Sequence, residues 1–366
     1  MKISDSATVS EQEWNVLMND SDDIWLWHLW KWVETTARVW SLENHYFIAE
    51  ENGRRVGGFP LQLAPASSYG QPCNRAFSIM MGSAGPFCTR EMPLESRQRV
   101  LSELTKSSID WARKRKLRVL SLSLSLPPLA HSNIQNIRGV NPLATAGWRD
   151  VSTHTLIANL SKPESDLWKD LTHDARRSVR LARSAGYTVE RTNWQDMIDE
   201  YYRVHMETYR RTGTKPHPRV YFEAIANMAM RGHAVLWMAR DSNNRPVAFH
   251  NCARFRNGSQ YWSGCCETGH LRSGVNYLLF WNALVGAKED DCDWYEIGEV
   301  FPDAMEGKLR GLTTFKSKFG GELYRFYRGE ITLFDRCPPP YIRAASHMLP
   351  RSVRRHLGKL LYRLSV

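Results

Sequence analysis

Cations, rather than nucleophiles, stand out along this chain. The first group is Arg176, Arg177, Arg180 and Arg183, in "DLTHDARRSVRLARSAGYTVE". A planar guanidinium presents a fork of donors, so four arginines within eight residues can hold phosphates. The same pattern also describes an ordinary solvated basic face. The second group is Arg210, Arg211, Lys215, His217 and Arg219, gathered about the Pro-containing loop of "YYRVHMETYRRTGTKPHPRVYFEAI". It is suited to an anionic ligand. The third is the pair Lys316 and Lys318 in "TTFKSKFGG", residues 313–321, which is either a solvated helix end or a cation placed for chemistry. Competing chemistries lack their motifs. There is no GxSxG elbow, Walker A loop, HExxH pair or Rossmann GxGxxG. The twelve histidines have no ligand spacing, and a lone one such as His250 is expected to be structural.

The elements that must position these groups occur in duplicate. "HYFIAEENGRRVGGFPLQL" is a strand, an Asn-Gly turn and a strand, hence a hairpin. "AVLWMARDSNNRPVAFHNCARF" repeats the pattern around an Asp/Asn-rich turn. Each is followed by an apolar-periodic helix and then a β-rich run: "SSIDWARKRKLRVLSLSL" in the first case, "GVNYLLFWNALVGAKEDDCDWYEIG" in the second. The period is too long for a solenoid, so two copies of one mixed α/β domain are expected. The first spans 1–155 and the second 156–335. Their join, "LSKPESDLW", has Ser161 and Glu164 at capping-box spacing with Pro163 in the first turn. Residues 336–366 are expected to form a basic helical tail. Its Tyr341–Val366 stretch contains Arg343, Arg351, Arg354, Arg355, Lys359 and Arg363, no acids, and leucines at helical spacing. Such a helix suits peripheral contact with an anionic membrane or packing on the parent domain.

The 366 residues carry a net charge of +11, which favours polyanionic partners. The first residues are polar and acidic without an apolar h-region, and no run of eighteen apolar residues occurs. Neither a signal peptide nor a membrane span is therefore expected. The seven cysteines, Cys73, Cys88, Cys252, Cys265, Cys266, Cys292 and Cys337, show no CxxC. Buried free thiols in a reducing cytoplasm are the expectation, with no structural metal.

Four segments in order, "ARRSVRLARSAGYTVE", "METYRRTG", "NYLLFWNALVGAKEDDCDWYEIG" and "GLTTFKSKFGG", resemble the Fem-type aminoacyltransferases (FemAB/FemX) and their acyltransferase relatives. The likeness covers about residues 165–335. The first copy matches in general shape through "WHLWKWVE" and "HYFIAEENGRRVGGFPL". The resemblance implies two tandem GNAT-like acyltransferase domains. It also implies transfer of an amino acid from aminoacyl-tRNA, as co-substrate, to an amine of a peptidoglycan-precursor-like or natural-product peptide acceptor, without metal or redox cofactor. The family's Phe-Lys falls on Phe315-Lys316, which makes Lys316 the candidate partner of the oxyanion formed at the ester carbonyl. Its acceptor-phosphate cations suggest Lys31 from the first copy and Arg211 or Arg219 from the second, with Trp32 and Tyr221 as neighbours. Arg176, Arg177, Arg180 and Arg183 would then meet tRNA phosphate. An acyl-CoA-dependent N-acyltransferase acting on a sugar or a lipid-linked exopolysaccharide intermediate is the alternative. GNAT enzymes cradle the CoA pyrophosphate with an R/Q-x-x-G-x-G/A loop at a helix N-terminus. Arg272-Ser273-Gly274-Val275-Asn276 lacks that spacing and the second glycine. A catalytically dead module binding RNA or nucleotide-linked ligands is the third reading. A cytoplasmic location at the inner face of the membrane fits the first two.

Overall fold

A computed structural model describes residues 1–64, 75–90, 92–115, 119, 121–135 and 139–333. Cys73, Cys337 and the basic tail lie outside the described residues.

The first half runs β1 (Lys2–Ser6), α1 (Glu11–Asn19), α2 (Trp30–Trp40), β2 (Glu43–Glu51), β3 (Arg54–Ala64), β4 (Arg75–Phe77), β5 (Phe87–Cys88), α3 (Leu94–Lys114), β6 (Ser121–Ser125), α4 (His131–Gln135), α5 (Pro142–Thr145) and β7 (Arg149–Asp150). The second runs β8 (Thr153–Asn159), α6 (Glu164–Asp170), α7 (His173–Ser184), β9 (Thr188–Thr192), α8 (Trp194–Thr212), α9 (Arg219–Ala229), β10 (Ala234–Arg240), β11 (Pro246–Phe255), β12 (Gly258–Cys266), α10 (Val275–Glu289), β13 (Trp294–Val300), α11 (Gly307–Lys316), β14 (Glu322–Phe326) and β15 (Arg328–Thr332).

Local chemistry sets these boundaries. Asn52 and Gly53 both have positive φ (53° and 74°) between β2 and β3, the two-residue turn that an Asn-Gly hairpin requires. Ser10 and Glu13 form a reciprocal capping box on α1. Asn193 caps the start of α8, and left-handed Gly213 ends it. The box expected at the domain join does not form. The Ser161 hydroxyl donates to Asn159 Oδ1 instead, and Pro163 flanks α6 without a side-chain cap.

The duplication is visible in the sheets. In the first, the order is β1-β2-β3-β4-β6-β15-β7, with β5 beside β3; in the second it is β14-β8-β13-β12-β11-β10-β9. In both, an antiparallel run leads to a strand whose neighbour is parallel and reached through a helix: β4 with β6 across α3, and β12 with β13 across α10. The next position is filled differently in the two sheets. β8 pairs with β13 in the second sheet, while β15, from the end of the second half, pairs with β6 in the first. The 155/156 boundary falls inside β8, and the last strand of the second half completes the first half's sheet.

A shared core reinforces this link. Trp14, Leu17, Trp25, Trp27 and Trp32 of the first half pack in one buried cluster with Trp194, Tyr201, Tyr221 and Phe222 of the second. Trp262 of β12 sits edge-on to both Trp27 and Trp32 at 4.9 Å between centroids. The opposite face of the second sheet is covered by α7 and α10, through Ala175, Val179, Leu278 and Phe280. Among the described residues no helix is long and apolar enough to cross a membrane.

Candidate active site

β12 and β13 pair in parallel only from Gly258–Gln260 against Trp294–Glu296. Beyond that rung the two strands no longer pair, and the sheet splits. The equivalent place in the first half is closed. Ser78 N donates to Ser123 O at 3.1 Å and Gly85 N to Ser125 O at 2.8 Å, so the flank of β6 stays hydrogen-bonded past β4. The open split therefore belongs to the second half.

Lys316 fills that split. It is the last residue of α11 and only 6% exposed. Its neighbours hold the turn from outside. Phe315 stacks edge-on against Tyr277 and Phe319, and Phe319 lies flat on Phe280 at 4.1 Å. With those rings anchored, the lysine reaches inward. Its Nζ donates to the Glu299 carbonyl at 3.1 Å and lies 5.6 Å from the centroid of the Tyr261 ring. Gly298 makes room for it: a Cβ there would sit 2.5 Å from Nζ, and the backbone, with φ at 108°, favours glycine. Among the described residues the ammonium has no ion pair within 4 Å. Burial lowers its pKa from 10.5 to about 8, against the opposing pull of Glu296 and Glu299.

Two carboxylates frame the lysine. Glu299 is gripped by Arg328 of β15 through two bonds, at 2.7 and 3.1 Å, and accepts from the Thr153 hydroxyl at 2.6 Å. This strand of the first sheet thus reaches the edge of the site. Glu296 is 1% exposed and accepts from the Thr155 hydroxyl at 2.8 Å. Burial pushes its carboxyl up to about 7. Beside the split, a groove of about 420 Å³ lies between Tyr277 of α10 and Gly307, Gly311 and Phe315 of α11, with Arg310 and Lys318 at its rim. Lys318 itself is 5.6 Å from the Tyr277 ring centroid and 3.8 Å from Asp174.

The loop from β12 to α10 has some of its amides already engaged. Thr268 N donates to the Glu207 carboxylate at 2.7 Å, and Val275 N to the Ser273 hydroxyl at 3.2 Å. A carboxylate thus binds an amide near the start of this connection, beside the segment whose free amides would hold a pyrophosphate.

The other expected residues divide. Trp32 and Tyr221 meet in the joint between the halves, with their rings 5.9 Å apart, and Tyr221 accepts from the indole of Trp262 at 2.9 Å. Arg211 lies at the end of β12, where it donates to Cys266 O and Thr268 Oγ1. Lys31 and Arg219 do not converge on Lys316. Lys31 pairs with Glu11 at 2.8 Å, and Arg219 with Asp199 at 2.6 Å and with Glu223. These are exposed, solvent-screened pairs that a phosphate could displace. Arg176 donates to the carbonyls of Trp168, Lys169 and Leu171 at the C-terminal end of α6, which is a structural task. Arg180 stands over Trp168 and, like Arg177 and Arg183, is exposed. Five of the cysteines, Cys88, Cys252, Cys265, Cys266 and Cys292, are free and buried.

Sequence reasoning missed Glu296, Gly298 and Tyr261. The available signal was Gly298 inside the strand "WYEIGEV", since a strand glycine marks a bulge or a close approach. The register between β8 and β13 does shift between Glu296 and Gly298.

Comparison with known proteins agrees with this architecture. Residues 169–317 match the acetyltransferase (GNAT) domain family. No curated protein matches in sequence. Among solved structures, FemX has a TM-score of 0.65 at 16% identity, covering 89% of this chain and 97% of FemX. L-PGS from Bacillus licheniformis has a TM-score of 0.54 at 13% identity, covering 92% and 95% of the two chains. A conserved protein of unknown function from Bacteroides thetaiotaomicron gives 0.54 at 12% identity, covering 90% and 100%. At such identities the likeness is one of fold. The chain thus has a FemX-like fold of two GNAT-like halves in tandem, and residues 169–317, in the second half, match the acetyltransferase (GNAT) domain family.

Proposed function

We propose that the protein is an aminoacyltransferase. It takes an amino acid from aminoacyl-tRNA and joins it to an amine of a peptidoglycan-precursor-like or natural-product peptide acceptor, forming an amide. The observation that carries this reading is Lys316, a buried cation in the open split of the second sheet. Attack of an amine on the ester carbonyl builds negative charge on oxygen. A preorganised ammonium in a water-poor site opposes that charge and contributes on the order of 10²–10³ in rate. The β12–α10 loop supports an RNA donor over CoA, because Glu207 already holds the Thr268 amide and would repel a pyrophosphate. The exposed Arg177, Arg180 and Arg183 on α7 offer phosphate contacts away from the split.

The match to an acetyltransferase domain supports a second reading, acyl-CoA-dependent N-acylation of a sugar or lipid-linked saccharide. The two separate in one experiment. Purified protein is incubated with tRNAs charged with labelled amino acids, or with labelled acetyl-CoA, and a panel of amine acceptors. The first reading expects label to move from charged tRNA. Label moving from acetyl-CoA alone would replace it with the second.

A further inference from the structure

We propose that Glu296 is the proton acceptor for the attacking amine, an assignment that rests on the aminoacyl-transfer reading above. It sits on the last rung where β12 and β13 still pair, at the mouth of the split that Lys316 enters. One carboxylate oxygen is fixed by the Thr155 hydroxyl, and the other, Oε2, is buried without a donor. Its register partner across the rung is Gln260, whose Oε1 is likewise buried and unpartnered. Two buried acceptors without donors, on residues that face each other across one rung, are costly to a fold. They mark a place that a ligand rich in N–H donors completes. A protonated amine is such a ligand.

The electrostatics direct its proton. The charged groups facing Glu296 are Lys316 from α11, Glu299 from its own strand and Arg328 from β15, and Glu299 is neutralised by Arg328. An ammonium entering beside Lys316 meets a like charge, which favours its deprotonation. Burial holds the Glu296 carboxyl up at about 7, where a base is effective at neutral pH.

The step balances. R–NH3⁺ gives one proton to Glu296 Oε2. The neutral nitrogen attacks the ester carbonyl, a C–N bond forms, and the carbonyl electron pair moves to the oxygen opposed by Lys316. The adduct nitrogen gives its second proton to the ribose oxygen as the C–O bond breaks. Amide and tRNA leave, and Glu296 returns its proton to solvent.

The test compares wild type with Glu296→Gln, using charged tRNA and two nucleophiles. One is the ε-amine of a lysine-containing pentapeptide, which arrives protonated. The other is hydroxylamine, which is largely neutral at pH 7 and needs no base. Spontaneous hydroxylaminolysis is subtracted. The variant should lose roughly 10²–10³-fold with the ε-amine but less than about tenfold with hydroxylamine. Its kcat/KM profile for the ε-amine should also lose the rise near pH 7. Equal losses with both nucleophiles would show a merely structural role, and no loss with either would overturn the assignment outright. Absence of wild-type transfer to either nucleophile would overturn the parent reading, and this proposal with it.

Discussion

Replacing Lys316 with methionine should stabilise the protein while removing its activity. Methionine has a similar length and can occupy the channel above Gly298 without charge. The lowering of the Lys316 pKa from 10.5 to about 8 corresponds to roughly 3 kcal/mol of destabilisation at neutral pH. The sign follows from proton binding. Below pH 8 folded and unfolded chains both hold the proton, so the folded state bears the full cost. Between about 8 and 10.5 the unfolded chain binds more protons, so wild-type stability rises with pH through this group. Lys316→Met lacks that rise. Its advantage should be greatest below pH 8 and should fade by pH 10.5. Glu296 subtracts from the gain. Its carboxyl is raised from 4.5 to about 7, so its stabilising share is present below 4.5 and lost as pH climbs to 7. Losing the Lys316 cation deepens that loss. A net gain of about 1–3 kcal/mol near pH 7 is therefore expected. Glu296→Gln in both backgrounds cancels the coupled contribution. Urea unfolding at several pH values between 6 and 10.5 measures the difference. A methionine variant that is less stable than wild type at pH 7, or a difference that does not move with pH, would refute the reasoning.

Other perturbations follow from the same geometry. Gly298→Ala places a Cβ where Nζ now lies and strains a backbone with φ at 108°. It should cost about 1–3 kcal/mol in denaturant midpoint and shift the transferase pH profile, because the ammonium must move. Trp262→Ala removes the ring between Trp27 and Trp32. It should cost roughly 3–5 kcal/mol by chemical unfolding. Because β15, from the end of the second half, is a strand of the first sheet, and the two halves share one buried cluster, calorimetry should show one unfolding transition for both halves. Fragments 1–155 and 156–366, expressed separately, should fail to give sharp near-UV spectra. Two well-separated transitions would contradict this coupling.

Much of this fold is legible in the sequence, for identifiable reasons. The Asn-Gly turn marks the first hairpin because few residues tolerate positive φ twice in a row. The repeated order of hairpin, helix and strand exposes the duplication, since the two sheets use the same parallel crossover. The placing of β15 in the first sheet is not legible. "THTLIAN" and "RGEIT" read as strands, but a strand's pattern of residues does not say whose sheet it joins. Lys316 is conspicuous by its place, while its burial depends on a bulge at Gly298 on another strand. Lys31 and Arg219 pair with Glu11 and Asp199, twenty residues earlier in the chain, and no local pattern in the sequence announces these pairings. The second group of cations looked like one site in sequence. α8 and α9 instead turn Arg211 toward the β12 end and Arg219 toward solvent.

The central claim is that Lys316 opposes charge developing on an ester carbonyl delivered by tRNA. Single-turnover transfer of a labelled amino acid from charged tRNA to an amine, by wild type and by Lys316→Met at pH 7, tests it most directly. The expected result is transfer by the wild type and a rate roughly 10²–10³-fold lower in a variant that remains folded. A folded Lys316→Met protein that transfers at the wild-type rate would contradict the account.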